Sequence, residues 1–586
     1  MVTETFQGPK YFSGSKLDGP VDHSLIDDEQ RGFGGKKFDE SIMDNRRTCD
    51  PKMYKLTDIR QTMLTEKLIL QTSEEKPSTL QSPAAKKPLT KFEEISNGFD
   101  IVKNMSGLTK SRRIDSATQV FELLRAVSML WIVYAHTASF KAEMFNKQKE
   151  QANFVNNEGN DWMVTFIMTG FFAVDFFLIM GGYVSILFVS KTFLELKDSA
   201  LWKLPALWVF MIFKRYFRMM PAYFFMMMFF KSITPYMLSS PYNVIDICHG
   251  DLIWQGLNLF SGASTDLNVM CLAQCWYLVI DFQMFLFVPG IVILHMINKR
   301  LAIGVTCGLI TASIGWGMYI LYVNKCAFGE NWGVYYVDWR CRGCVYFLGC
   351  LMSQMSLKPV NILSKKRAPL LENQGQDASQ VTQQAPVAKP ESKSKAKGGM
   401  SKKAVMISVL IGLGSFIIIA THTYLLHYYF QHGRDQAKNN TWASTIFISF
   451  GKFFFVGSVM LFLIMLCKNI KALPNFIANN SVIQFLGNLS FTYYLCHIVV
   501  IITFGFNDQD VEYVDHWVLL GSAVGYIFYT TFLAVFVSMG IEYPLAVLWK
   551  VVVETPFITN FKDKPRPRPE ITLEGNSQKA DNKLNV

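Results

Sequence analysis

The chain has 586 residues, half of them hydrophobic and only 18% charged, with 48 Phe and 28 Met, a mix that excludes an ordinary soluble globular protein. Its formal charge of +11 does not point to nucleic acid, because the basic residues cluster where the cytoplasmic ends of membrane helices would carry them. The clusters are Lys214-Arg215-Tyr216-Phe217-Arg218, Asn298-Lys299-Arg300, Lys365-Lys366-Arg367 and Lys562 to Arg568, read as topology signals and anchors for anionic membrane lipids.

Residues 1–113 form a polar tail with no apolar h-region, so no secretory signal peptide is expected, and acidic residues from Glu4 onward fit a mitochondrial presequence poorly. The tail is expected to be cytosolic and disordered unless a protein partner orders it. Ten apolar segments follow, at about 118–140, 164–188, 219–238, 276–297, 301–323, 343–358, 404–426, 443–467, 484–506 and 517–540. Each approaches the ~20 residues a helix needs to cross a hydrocarbon core. The expected fold is therefore an all-α polytopic membrane helix bundle with about ten transmembrane helices. Six helices belong to a first part, 114–358, and four to a second, 404–555. The Lys-, Gln-, Ser-, Ala- and Pro-rich stretch 359–403 between them is expected to be a disordered cytosolic linker. Residues 556–586 are a second cytosolic tail. The charge bias places both termini in the cytosol, in an endomembrane or the plasma membrane.

The 11 cysteines make no metal pattern: Cys341-Arg342-Gly343-Cys344 has the gap of a half-site, but no second pair lies at a matching distance, and no metal is expected. Cys248 and Cys271 flank a long loop on the non-cytosolic side and are candidates for a disulfide, with Cys275 and Cys326 as competing partners. Asn439-Asn440-Thr441 is a glycosylation sequon on another loop of that side.

Ionisable residues inside apolar segments carry the functional signal. Arg125 and His136 are eleven residues apart, so on a helix they share one face and stand about 16 Å apart along the axis. Taken alone, the pair equally fits an arginine reaching for headgroups above a satisfied bundle histidine. Asp175 lies within the second segment beside Gly181 and Gly182, where neighbouring helices can approach closely. Arg215 and Arg218, three apart, share a helix face at the cytosolic boundary and suit phosphate oxygens as well as ordinary anchoring. Asp281 and Gln283 lie one to two turns inside the fourth segment, near its outer face.

In chain order, Leu124-Arg125 with His136, then Val174-Asp175-Phe176-Phe177 with Gly181, then Arg215-Tyr216-Phe217-Arg218-Met219-Met220-Pro221-Ala222-Tyr223, resemble the acyltransferase 3 family of membrane acyltransferases. Trp131, the Cys271 to Gln283 block with Trp276-Tyr277 and Asp281, and Leu489-Ser490-Phe491 with Tyr493, Leu495 and His497 resemble its nose-resistant-to-fluoxetine-like eukaryotic branch. The resemblance covers roughly 115–550. Met180 stands where the second motif has Ser, and Val337-Asp338-Trp339-Arg340 lacks a Pro of a later motif. Animal members usually carry a signal peptide and an N-terminal extracytoplasmic domain, and neither is read in this sequence.

The resemblance implies transfer of an acyl group from cytosolic acyl-CoA, the donor substrate, to a hydroxyl acceptor that is a lipid, sterol or carbohydrate. His136 is the general base, with Asp175 and Arg125 beside it in the catalytic set, and an acyl-His136 intermediate is an alternative to direct transfer. Arg215, Arg218 and Arg125 are the candidates for binding the nucleotide end of acyl-CoA. Asp281, Gln283 and His497 fall on the acceptor side. Two other classes use the same buried charges: a lipid or small-molecule transporter, and a catalytically silent subunit of a membrane assembly.

Overall fold

The computed structural model describes residues 90–110, 116–143, 162–195, 203–238, 271–324, 335–357, 402–439, 441–470, 472–507 and 515–561. The rest of the two tails and of the linker, together with Cys248, Cys326 and Asn440, lie outside the described residues. Two short helices open the described chain, α1 (Lys91–Gly98) and α2 (Ile101–Leu108). Thr90 and Glu93 form a reciprocal cap on α1: the Thr90 hydroxyl accepts from Glu93 N at 3.2 Å and the Glu93 carboxylate accepts from Thr90 N at 2.8 Å. Those bonds hold the Glu93 carboxyl below its ordinary range. Both helices fall within the stretch expected to be a polar tail. They dock on the bundle: Leu108 is buried with Leu489 and Met539, and Asn488 Nδ2 donates to the Leu108 carbonyl at 2.6 Å.

The bundle follows as α3 (Ser116–Glu143), α4 (Trp162–Met168), a single 3-10 turn, α5 (Ala173–Glu195), α6 (Leu204–Ser232), α7 (Trp276–Phe285), α8 (Val288–Ile297), α9 (Lys299–Val323) and α10 (Trp339–Ser356). After the linker come α11 (Lys402–Asn439), α12 (Thr441–Asn469), the short α13 (Ala472–Asn479), α14 (Ser481–Asn507) and α15 (His516–Val537). Two π-helical turns, Ser538–Glu542 and Lys550–Glu554, then alternate with α16 (Tyr543–Trp549) and α17 (Thr555–Phe561).

Among the described residues, eight helical spans are long and apolar enough to cross a membrane. The remaining two of the ten expected segments fall on α6, which carries charge in mid-helix, and α10, which carries Arg340 and Arg342 in its first turn. The arginines placed by hydropathy at a boundary are in fact inside α6, which begins at Leu204, before the apolar run starts. The helix tolerates them because other helices supply anions: Lys214 pairs with Glu554, and Arg215 with Asp281.

Contacts at the helix ends fix an up-and-down order. At one end Lys299 Nζ donates to the Leu357 carbonyl at 2.9 Å, Ser408 Oγ to Asn469 Oδ1 at 2.8 Å, and Lys203 Nζ to the Phe561 carbonyl at 3.2 Å. At the other, Asn507 Nδ2 donates to the Met237 carbonyl at 2.6 Å, and the rings of Tyr322 and Trp442 lie 4.6 Å apart. The first end is the basic one.

α3, α5, α7–α8 and α14 are mostly buried, whereas α9, α11 and the helix from α15 to α17 leave most of their apolar length exposed, as lipid-facing helices do. α5 and α10 run parallel and touch backbone to backbone. A Cβ at Gly182 would overlap the Tyr346 carbonyl, and one at Gly349 would overlap the Ile179 carbonyl.

Gly182→Ala and Gly349→Ala are therefore each expected to lower stability by about 1–3 kcal/mol or more. Gly308→Ala, where an added Cβ meets nothing within 4 Å, should be neutral or slightly stabilising. Thermal unfolding of the detergent-purified chain measures all three; equal midpoints would contradict the close α5–α10 contact.

Candidate active site

α3 presents His136 to the bundle interior. Its Nδ1 lies 3.0 Å from the carbonyl oxygen of Ile132, one turn back on the same helix. A carbonyl only accepts, so in the neutral ring Nδ1 carries the proton and Nε2 the lone pair. His497 of α14 stands beside it, with ring centroids 5.1 Å apart. His497 Nδ1 faces the Tyr494 carbonyl at 2.6 Å, and its Nε2 is buried without a hydrogen-bond partner. Two imidazoles of the same tautomer thus lie side by side, His136 half-buried and His497 fully buried.

The aromatic wall around them is held by the start of α7. The Tyr494 ring lies 5.4 Å from His497 and 5.3 Å from Tyr277, and the Tyr494 hydroxyl donates to the Gln274 carbonyl. Gln274 Nε2 in turn donates to the Leu495 carbonyl at 3.3 Å. These bonds tie the loop end of α7 to the middle of α14.

A second cluster lies nearer the basic end. Arg215 pairs through Nη2 with Asp281, donates from Nη1 to Ser185 Oγ at 3.0 Å, and lies 4.4 Å over the Phe285 ring. The Tyr346 hydroxyl donates to the same Ser185 Oγ at 3.4 Å. Gly181 makes room for the carboxylate: a Cβ there would come within 2.9 Å of Asp281 Oδ1. Arg125 is paired at 3.1 Å with Glu122, one turn back on α3. Tyr277 links these groups to the histidine wall, since it lies within electrostatic range of Asp281, Arg215 and Arg125. Arg218 is exposed, one turn beyond Arg215, and Gln283 is buried on α7.

A third cluster forms around Asp175, which is fully buried and paired with Arg342. Arg342 also donates from Nε to the Tyr336 carbonyl at 2.9 Å and lies over the rings of Tyr336 at 4.2 Å and Trp276 at 5.5 Å. Lys452 of α12, buried nearby, donates to the Cys341 carbonyl and lies 4.1 Å over the Tyr335 ring. Cys341 and Cys344 are free buried thiols, and the described residues contain no cluster of metal-ligating side chains. Cys271 is disulfide-bonded and Cys275 is free, which removes Cys275 as the competing partner.

The geometry is thus a polar seam through an apolar bundle, with basic groups at one end and two imidazoles farther in. A family model described as an acyltransferase domain, that of acyltransferase 3, matches residues 119–539. The chain belongs to the acyltransferase 3 family. Nose resistant to fluoxetine protein 6 of Caenorhabditis elegans is 23% identical over 223 residues, which cover 37% of this chain and 27% of that protein. A "Putative O-acetyltransferase" of Staphylococcus aureus (strain COL) is 27% identical over 224 residues, covering 36% of this chain and 31% of that protein. Less than a third of either relative is therefore spanned by the match. No solved structure matches the chain.

Within this acyltransferase 3 domain, the motif residues divide between neighbourhoods. His136 and His497 meet, Arg215 meets Asp281, and Asp175 meets Arg342 instead of either histidine. Arg342 is hidden in the sequence because it falls inside a two-cysteine motif that draws attention to metal binding. Lys452 and Glu122 fall inside apolar segments, where any ionisable residue is itself a signal; neither belongs to a motif.

Asp175→Asn and Arg342→Met should each destabilise the fold by roughly 3–5 kcal/mol, since each strands one buried charge. The double variant is expected to recover much of that loss, giving a coupling well above the ~0.5 kcal/mol of unrelated sites. A double-mutant cycle on thermal or denaturant unfolding checks it; additive losses would mean the two side chains act separately.

Proposed function

We propose that this acyltransferase 3 domain transfers an acyl group from acyl-CoA to a hydroxyl acceptor, with His136 as general base. The observation that carries the reading is the bond between His136 Nδ1 and the Ile132 carbonyl, which leaves the lone pair on Nε2. In the step proposed, Nε2 takes the acceptor's hydroxyl proton as the oxygen attacks the thioester carbonyl. The C–S bond breaks, the O–acyl bond forms, and the proton leaves with the CoA thiolate as free thiol. Half-buried His136 suits this exchange better than His497, which is fully enclosed.

The donor enters from the basic end, taken to be cytosolic because acyl-CoA is made there and because the positive-inside bias agrees. Arg218, exposed on α6 about 4.5 Å beyond Arg215 as counted from the basic end, is the candidate contact for the donor's phosphates inside the bundle, not at its mouth. Arg215 is already neutralised by Asp281, so it shapes the passage and Asp281 acts as its positioning partner. Arg125 stands about 16 Å from His136 along α3, a span that a pantetheine arm covers. His497, beside His136, flanks the acceptor. The acceptor is read as a lipid, sterol or carbohydrate alcohol, presented from the membrane or from the side opposite the donor.

Purified full-length protein in liposomes of total lipid extract, supplied with acetyl-CoA, should release CoA thiol. His136→Ala should lower that turnover by about 10²- to 10⁴-fold, whereas Arg218→Ala should raise KM for acetyl-CoA with little change in kcat. Equal turnover in wild type and His136→Ala would remove His136 as the base. No turnover in the wild type would favour a transporter or a silent subunit.

A further inference from the structure

The charges of the third cluster do not balance. Asp175 supplies one negative charge, while Arg342 and Lys452 supply two positive ones, all three of them buried. Asp175 is taken up by Arg342. Lys452 is left with a carbonyl, that of Cys341, and the face of Tyr335; among the described residues no carboxylate pairs with it. An ammonium held this deep among apolar helices is costly unless an anion meets it.

Between these side chains lies a cavity lined by Asp175, Arg342, Lys452, Tyr335, Tyr336 and Phe172, with room for about one water molecule. Its lining therefore combines net positive charge with ring edges and faces, in a volume of about one water molecule that limits an occupant to a water or a small monatomic ion. We infer that this cavity binds a small monovalent anion of chloride size, held by Lys452 and Arg342. The anion completes the charge balance of α5, α10 and α12 around Asp175. A divalent oxyanion such as sulfate is too large for the space. This site is separate from the Arg215 and His136 clusters, and the inference does not rest on the acyl-transfer reading.

The test is thermal unfolding of the detergent-purified full-length chain in sodium chloride against sodium gluconate at constant ionic strength. Chloride should raise the midpoint by about 2 °C or more along a saturating curve, and bromide should substitute for it while sulfate should not. Lys452→Met, which keeps the side-chain length without the charge, should abolish the halide dependence. Identical midpoints in chloride and gluconate would overturn the proposal, as would a linear response without saturation in the wild type. Those two outcomes are decided by the wild type alone, so they stand even if the variant fails to fold. A saturating halide response that survives Lys452→Met would also overturn it, by placing the ion elsewhere.

Discussion

Charge carried into an apolar bundle must find its counter-charge inside the bundle, and that requirement organises the arrangement of α5, α6, α7 and α10. An unpaired buried ion costs several kcal/mol even after the protein relaxes around it. α6 can therefore hold Arg215 in mid-helix only where α7 presents Asp281, and α10 can hold Arg342 only where α5 presents Asp175. α5 takes part in both clusters, through Asp175 at its start and Ser185 about 15 Å further along. One helix thus sets the separation between the two ion pairs.

Such pairing needs short distances between backbones, because aspartate is a short side chain. The glycines of α5 supply them. Gly181 leaves space for the Asp281 carboxylate, and Gly182 meets Gly349's helix across a contact that admits no Cβ on either side. Removing one glycine therefore acts on packing and on electrostatics together: the helices part, and the ion pairs lengthen with them. Met180, in the position before these glycines, is buried in the core and contributes packing there.

The fold class was legible because membrane helices announce themselves by length and apolarity, and the spans on α3, α7–α8, α9, α12 and α14 match the hydropathy segments closely. The limits of α6 were not legible. Hydropathy ends a helix at a charge cluster, whereas a helix whose lysine and arginine have anions on other helices continues through them. Likewise the sequence placed His136, Asp175, Arg215 and Asp281 on a short list from their motifs, but the pairing among them depends on which helices are neighbours. Asp175 fits a role beside His136 equally well on paper; its actual partner, Arg342, lies on a helix that only tertiary packing brings to it. Helices α1 and α2 were missed for a related reason. They are too short to show a period clearly, and their stability comes from docking against α14, α16 and the π turns through Leu108, Gly98 and Asn488.

The protonation pattern of His136 differs from the ion pairs in being local to one helix. Ile132 and His136 are four residues apart, so the carbonyl that fixes the tautomer belongs to α3 itself and is in place wherever α3 is helical. The neighbours are different in kind. His497 arrives on α14, the wall of Tyr494 and Gln274 is tied together across α14 and the start of α7, and Arg215 depends on α6 and α7 packing side by side. An arrangement built this way separates its parts: the tautomer of His136 is specified by local sequence, while the groups around it are placed by helix packing. Changes in the surrounding helices can then rearrange those neighbours without altering which nitrogen holds the lone pair. The Arg125-to-His136 spacing is of the same local kind: both residues lie on α3, so the helix alone sets their separation and the rest of the fold is not needed for it.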